Sequence, residues 1–257
     1  MNKWLDLIRK SAGAAVLIGL GNFALLKLGN PLGPIIFAFG LLGVCYLGQN
    51  LFTGKCGFLF QDKIPVLDLL VILVVNLIAG YLVGMLFAAA DPSIVSAASD
   101  KVASWDFSMA YFIKSVLCGV VMYLAVAIYK KGSPLGIIFG IPLFIFCGFQ
   151  HCIANVITMG VASGFSWSLV LAVVGNFVGS LLIWCLAGEL APAKSKKTSK
   201  IKSWFVQASK RGTRWAWLEA RKRCCRDKYL GYCSSPTRFL WIALVVVLSF
   251  RDGIRPW

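Results

Sequence analysis

His151 is the only histidine in the 257-residue chain, and it sits inside an apolar run, preceded by Gln150 and followed by Asn155. An ionisable group at membrane depth marks a site, because an uncompensated polar side chain there is expensive. A neutral imidazole both donates and accepts a hydrogen bond, and it can exchange a proton with a weak acid. About one hundred residues earlier another apolar run is interrupted by Gln49-Asn50 and continues as Leu51-Phe52-Thr53. That segment offers a hydroxyl between bulky apolar side chains, and a threonine facing a histidine across such a constriction suits a small anion or its conjugate acid. The chain carries no nucleophile–base pair, no metal-ligand spacing and no phosphate-cradling glycine loop, so neither an enzyme nor a cofactor is expected.

The elements that position these residues follow from composition. Hydrophobic residues make up 59% of the chain and charged ones 14%, with a mean hydropathy of +0.79, which excludes a water-soluble globule and a disordered chain. Continuous apolar runs without alternation argue for membrane helices and against an outer-membrane barrel. Six runs can span roughly 30 Å of hydrocarbon: Ala12–Leu28, Pro34–Phe60, Ile64–Ala90, Phe107–Tyr129, Leu135–Thr158 and Ser168–Leu190. The second and fifth carry Gly48-Gln49-Asn50 and Gly148-Phe149-Gln150-His151 in their middles. Backbone that leaves helical geometry at that depth must be buried in protein or line a wet cavity, so both are expected to be broken helices. Lys3, Arg9, Lys10, Lys55, Lys63, Lys130 and Lys131 fall on one side, which places both termini in the cytoplasm.

The chain also repeats itself. Gly29-Asn30-Pro31-Leu32-Gly33 returns as Gly132-Ser133-Pro134-Leu135-Gly136, Gln49-Asn50 as Gln150-His151, and Asn76-Leu77-Ile78-Ala79-Gly80 as Asn176-Phe177-Val178-Gly179-Ser180. Three spans per half put the halves upside down relative to one another. The expected fold is an all-α integral membrane protein, six transmembrane helices as an inverted 3+3 repeat of residues 12–90 and 107–190. Residues 1–190 form the transmembrane domain, with net charge +3, and 191–257 a basic cytoplasmic tail of net charge +13. The tail reads either as a linker followed by an amphipathic helix over 201–226 on anionic lipid or as a disordered segment. Cys224-Cys225 is a candidate for palmitoylation. Nucleic-acid binding is not expected.

At this point the residues carry a resemblance. Gly48-Gln49-Asn50-Leu51-Phe52-Thr53-Gly54-Lys55 resembles the Leu-Phe-Thr-Gly segment of the formate/nitrite transporter family. Gly148-Phe149-Gln150-His151-Cys152-Ile153-Ala154-Asn155 is similar to its Gly-Phe-Glu-His-Ser-x-Ala-Asn segment, and Asn76 and Asn176 stand where its third and sixth helices carry asparagine. The resemblance implies an aquaporin-like protomer, a homopentamer in the cell membrane with one pore per protomer, and small monovalent anions as substrates: formate, nitrite, acetate, lactate or hydrosulfide. It implies that Leu51, Phe52 and Thr53 form the loop in the first broken helix and that Leu41 and Phe37 line the cytoplasmic constriction. Phe144 would line the other constriction, His151 the pore centre, and Asn155 would brace the second break. Gln150 replaces the family's usual glutamate, which removes a carboxylate that would favour a charged imidazole.

The expected mechanism is protonation of the anion by His151, or by water relayed through it, so that the neutral acid crosses and net movement is anion plus proton. Lys27 and Lys114 are candidates for drawing anions to the mouths, Lys114 having a second reading as an interfacial side chain, shared with Asp68. The alternatives are an aquaporin-type channel for water or a neutral solute, and a lipid-binding membrane scaffold.

Overall fold

The computed structural model describes residues 2–187. The basic tail, the 201–226 segment and Cys224-Cys225 lie outside the described residues. Helices account for all the regular structure among the described residues, in the order α1 (Lys3–Leu28), α2 (Leu32–Tyr46), α3 (Phe52–Lys55), α4 (Val66–Ala90), α5 (Val95–Ala103), α6 (Met109–Lys130), α7 (Leu135–Phe146), α8 (Cys152–Val161) and α9 (Ser168–Leu186). Short 3₁₀ turns follow α3 at Cys56–Phe58 and precede α5 at Pro92–Ile94.

Local chemistry sets the helix starts. Asn2 caps α1 by accepting from the Trp4 N–H, and Ser108 caps α6 by accepting from the Tyr111 N–H, each satisfying a donor that the first turn leaves free. Among the described residues α1, α4, α6 and α9 are long and apolar enough to cross a membrane. α2 and α7 stop after 15 and 12 residues, roughly 22 and 18 Å at 1.5 Å per residue. Both end where glycine and polar residues interrupt the apolar run.

Packing depends on small residues at helix crossings. α4 and α8 approach so closely that a methyl group at Gly84 would strike the Ile157 carbonyl and one at Gly160 the Tyr81 carbonyl. α6 and α9 are held in the same way by Gly119 against Asn176 and Gly179 against Val116. In a medium as apolar as the side chains themselves, such close backbone approach is the main source of helix association. The outer faces are apolar too, with Leu70, Val74, Ile78 and Leu82 in one exposed stripe on α4 and Val170, Val174, Val178 and Leu182 in another on α9. In both, the four-residue spacing is that of one helix face.

Ion pairs join the helix ends. Lys3 Nζ lies 2.9 Å from Asp68, Lys130 Nζ 2.6 Å from Asp62, and Lys27 Nζ 2.6 Å from Asp91. Asp68 is thus a largely buried partner that ties the start of α1 to the start of α4.

Candidate functional site

The two interruptions are built alike. After α2, Gly48 takes a positive φ of 65°, and the N–H of Gln49 returns to the Val44 carbonyl at 2.9 Å. After α7, Gly148 takes φ 68°, and the N–H of Phe149 returns to the Phe144 carbonyl at 2.9 Å. A glycine in the left-handed region lets the last carbonyls find partners without a Cβ clash. The chain then runs extended through Leu51 or His151 before a new helix begins.

That extended passage frees backbone groups where no water can satisfy them. One asparagine answers at each break. Asn76 Oδ1 accepts from the Phe52 N–H at 2.8 Å, while its Nδ2 donates to the Ser11 carbonyl at 2.7 Å and the Asn50 carbonyl at 3.0 Å. Asn176 Oδ1 accepts from the Cys152 N–H at 2.9 Å, and its Nδ2 donates to the carbonyls of Ser115 and Gln150, each at 2.8 Å. Both asparagines are completely buried. They hold the breaks open and do not line the cavity described below.

His151 occupies the start of α8 with 2% of its surface exposed. Its Nδ1 accepts from the Ala154 N–H at 3.1 Å, which leaves Nε2 as the protonated nitrogen of a neutral ring. Nε2 lies 2.8 Å from Thr53 Oγ1. In that tautomer the imidazole donates to the threonine, whose own hydroxyl proton is left for another acceptor. Residues 98 apart in the chain, one from each break, therefore meet in a single buried contact. Phe144 stacks on the imidazole with centroids 5.8 Å apart, and Phe37 meets Phe144 edge-on at 6.0 Å. Leu41 and Leu51 are fully buried, and Phe52 nearly so.

A cavity of about 530 Å³ leads to His151 from the end of the bundle that carries α5. Lys101, Trp105 and Asp106, from α5 and the connection to α6, share its wall with Lys114 and Tyr111 of α6. Asn155 Nδ2 lies 2.7 Å from the Tyr111 hydroxyl and 2.9 Å from Gln150 Oε1, while Gln150 Nε2 donates to the Gly148 carbonyl at 3.0 Å. Phe37 and Phe144 line this same cavity.

Two expectations change on this geometry. Phe37 and Phe144, assigned to opposite constrictions, form one aromatic pair beside His151. Their separation in sequence hides a meeting across two half-helices. Lys27, a candidate for one mouth, is bound to Asp91 and Ser93, and the Asp91 carboxyl is held at a pKa of about 2 by the ammonium and then by the Ser93 contact. Lys114 lines the cavity. Sequence reasoning passed over Lys101, Trp105, Tyr111, Asn22 and Thr158, all in the cavity wall. Asn22 had a visible signal, since it is an amide inside the first apolar run.

Broken helices held by buried asparagines, and a polar cavity that ends on a buried histidine inside an apolar bundle, are the features of a helical membrane transporter or channel. The family model described as formate/nitrite transporter matches residues 2–188, and the chain belongs to that family. It is 27% identical over 202 residues to a protein of Bacillus subtilis (strain 168) named "Uncharacterized transporter YrhG", a match covering 68% of this chain and 76% of that relative. A solved structure titled "FNT family ion channel" has the same fold, with a TM-score of 0.59, 24% identity, and coverage of 72% of this chain and 90% of the other.

Proposed function

We propose that the chain conducts small monovalent anions of weak acids, such as formate, nitrite, acetate, lactate or hydrosulfide, together with a proton, along a path that passes His151. The observation that carries this reading is the His151–Thr53 contact of 2.8 Å, where the two breaks meet, made by a histidine that lines the cavity.

The path lies at the centre of six spans arranged as an inverted 3+3 repeat. Supporting that arrangement, the asparagine contacts recur at a fixed offset: Asn76, Phe52 and Asn50 match Asn176, Cys152 and Gln150, one hundred residues on. Ser11 matches Ser115 in the same networks. With both termini in the cytoplasm the cavity is the outer vestibule, and the apolar stripes of α4 and α9 are surfaces for lipid or for neighbouring protomers of a homopentamer.

An anion is drawn in by Lys101 and Lys114 and then meets the Phe37–Phe144 rings, where losing water is costly for a charge. Thr53, which accepts from His151, turns its own hydroxyl proton toward the anion. With a proton gained at Nδ1, the ring gives its Nε2 proton to Thr53 as the threonine gives its own to the anion, which leaves a neutral acid to cross. Protonation at Nε2 and loss of the proton at Nδ1 then restore the Ala154 contact. Uptake into proteoliposomes between pH 5 and 8, with internal pH followed by a trapped dye, tests this. Wild-type protein is expected to acidify the lumen with at least one of these anions, and His151→Asn to lose the acidification. Acidification by the variant at the wild-type rate would remove His151 from the mechanism, and a folded wild-type protein that moves none of the anions would overturn the transport reading.

A further inference from the structure

Tyr111 of α6 carries a hydroxyl proton for which the protein supplies no acceptor, and a run of amides oriented from one end is the cause. Gln150 Nε2 donates to the Gly148 carbonyl at 3.0 Å. A carbonyl only accepts, so the Gln150 amide presents its nitrogen there and its Oε1 on the other side. Oε1 lies 2.9 Å from the Asn155 amide, which must in turn face it with Nδ2. The same Nδ2 lies 2.7 Å from the Tyr111 hydroxyl. One N–H of Asn155 thus goes to Gln150 and the other to Tyr111, and the phenolic oxygen is the acceptor in that contact. Among the described residues the hydroxyl makes no second hydrogen bond, so its own proton is uncommitted.

That proton belongs to the cavity. Tyr111, Gln150 and Asn155 all line it, although only 3% of the surface of Tyr111 and 7% of that of Asn155 is exposed. Asn155 follows His151 by four residues of α8, so the hydroxyl bound to it stands about one turn, roughly 6 Å, outside the imidazole. Lys114 follows Tyr111 by three residues on the same face of α6 and lines the same wall. Lys101 and Lys114 outnumber the one carboxylate of that wall, Asp106. The arrangement has no counterpart at the first break. By the offsets that relate Ser11 to Ser115 and Asn50 to Gln150, the positions matching Tyr111 and Asn155 are Leu7 and Lys55, and a leucine has no hydroxyl to give.

Resting on the proposed transport reading, we infer that Tyr111 is a specificity-determining residue that donates its hydroxyl proton to an oxygen of the incoming anion. Gln150 and Asn155 are the positioning residues that commit the hydroxyl to donating. The ligands it fits are monovalent oxyanions, carboxylates and nitrite, held in the field of the Lys114 ammonium before they reach the Phe37–Phe144 rings. A hydrogen bond to a charged oxygen is stronger than one between neutral groups, so the contact favours the anion that the cavity receives. Hydrosulfide carries the same charge but offers sulfur, a weak acceptor. It feels the lysines and gains little from the tyrosine, and a site built around a hydrogen bond discriminates against an analogue that cannot make it.

Initial rates of formate uptake into right-side-out membrane vesicles test this, with hydrosulfide as competitor at one fixed pH and ionic strength. Tyr111→Phe keeps the ring and removes the hydroxyl. Its half-saturating formate concentration is expected to rise roughly tenfold or more, as for the loss of a hydrogen bond to a charged group, while the inhibition constant of hydrosulfide stays close to the wild-type value. Gln150→Leu frees the Asn155 amide to turn Oδ1 toward Tyr111 and take its proton. It should shift the formate value the same way by a smaller factor, with hydrosulfide again unmoved, and it carries the test if Tyr111→Phe does not assemble. A merely structural role would weaken both anions together. An unchanged formate half-saturation, or equal losses for formate and hydrosulfide, overturns the inference while leaving anion transport intact. Absence of wild-type formate transport, with nitrite and acetate also excluded, overturns the underlying reading and this one with it.

Discussion

Replacing Asn176 with leucine should destabilise the protein far more than an ordinary buried polar-to-apolar change of equal volume. The side chain holds three backbone groups, the Cys152 N–H and the carbonyls of Ser115 and Gln150, at 2.8 to 2.9 Å. Ser115 lies within α6, so its carbonyl keeps a helical partner, whereas the Cys152 N–H and the Gln150 carbonyl belong to the break. A buried group left without a partner costs about 1–3 kcal/mol, so two give roughly 2–6 kcal/mol. For a domain of this size that corresponds to a fall in Tm of roughly 4–24 °C. The assay is thermal unfolding of the detergent-solubilised protein followed by tryptophan fluorescence, with Asn76→Leu measured alongside because it strips the same kinds of group from the first break. A Tm within about 2 °C of wild type for both variants, about 1 kcal/mol or less, would refute the claim that these asparagines replace water at the breaks.

Lys114→Gln is expected to slow anion entry from the cavity face and to flatten its dependence on ionic strength, because a charge at the mouth acts by long-range attraction that salt screens; initial rates of formate uptake at low and high salt would show it. The Lys27–Asp91 pair lowers the carboxyl pKa from 3.8 to about 2, so its contribution is complete above pH 3.8 and is lost as pH falls toward 2. Asp91→Asn should therefore leave the shape of the uptake profile between pH 5 and 8 unchanged, while wild type and variant should converge in stability as the pH approaches 2.

Much of the architecture is written in local signals. Gly48 and Gly148 end their helices because only a residue without a Cβ turns there freely, and the polar residues that follow announce backbone that cannot remain helical in an apolar bundle. Asn76 and Asn176 stand out as amides inside apolar runs. Contacts across the halves are less visible. Phe37 and Phe144 are 107 positions apart, and nothing in either helix pattern says that their rings meet. Lys27 reads like any cation near a span end until the turn holding Asp91 and Ser93 closes on it. The second half of the first break is also shorter than a continuous apolar run suggests, since α3 has four residues before its 3₁₀ turn while α8 has ten. Periodicity reports which residues are apolar, but the depth at which a helix gives way depends on its tertiary partners.

The two asparagine braces carry a consequence for how such a protein can change. The shape of each break is maintained by groups outside the cavity wall, while the side chains that meet a solute hang from backbone whose bonds are already satisfied. Framework and filter are therefore separable. Positions 37 and 144, which line the cavity from α2 and α7, can exchange their chemistry one at a time without dismantling the breaks that follow them, so a lineage, or an engineer, can retune the cargo in small steps on an unaltered chassis.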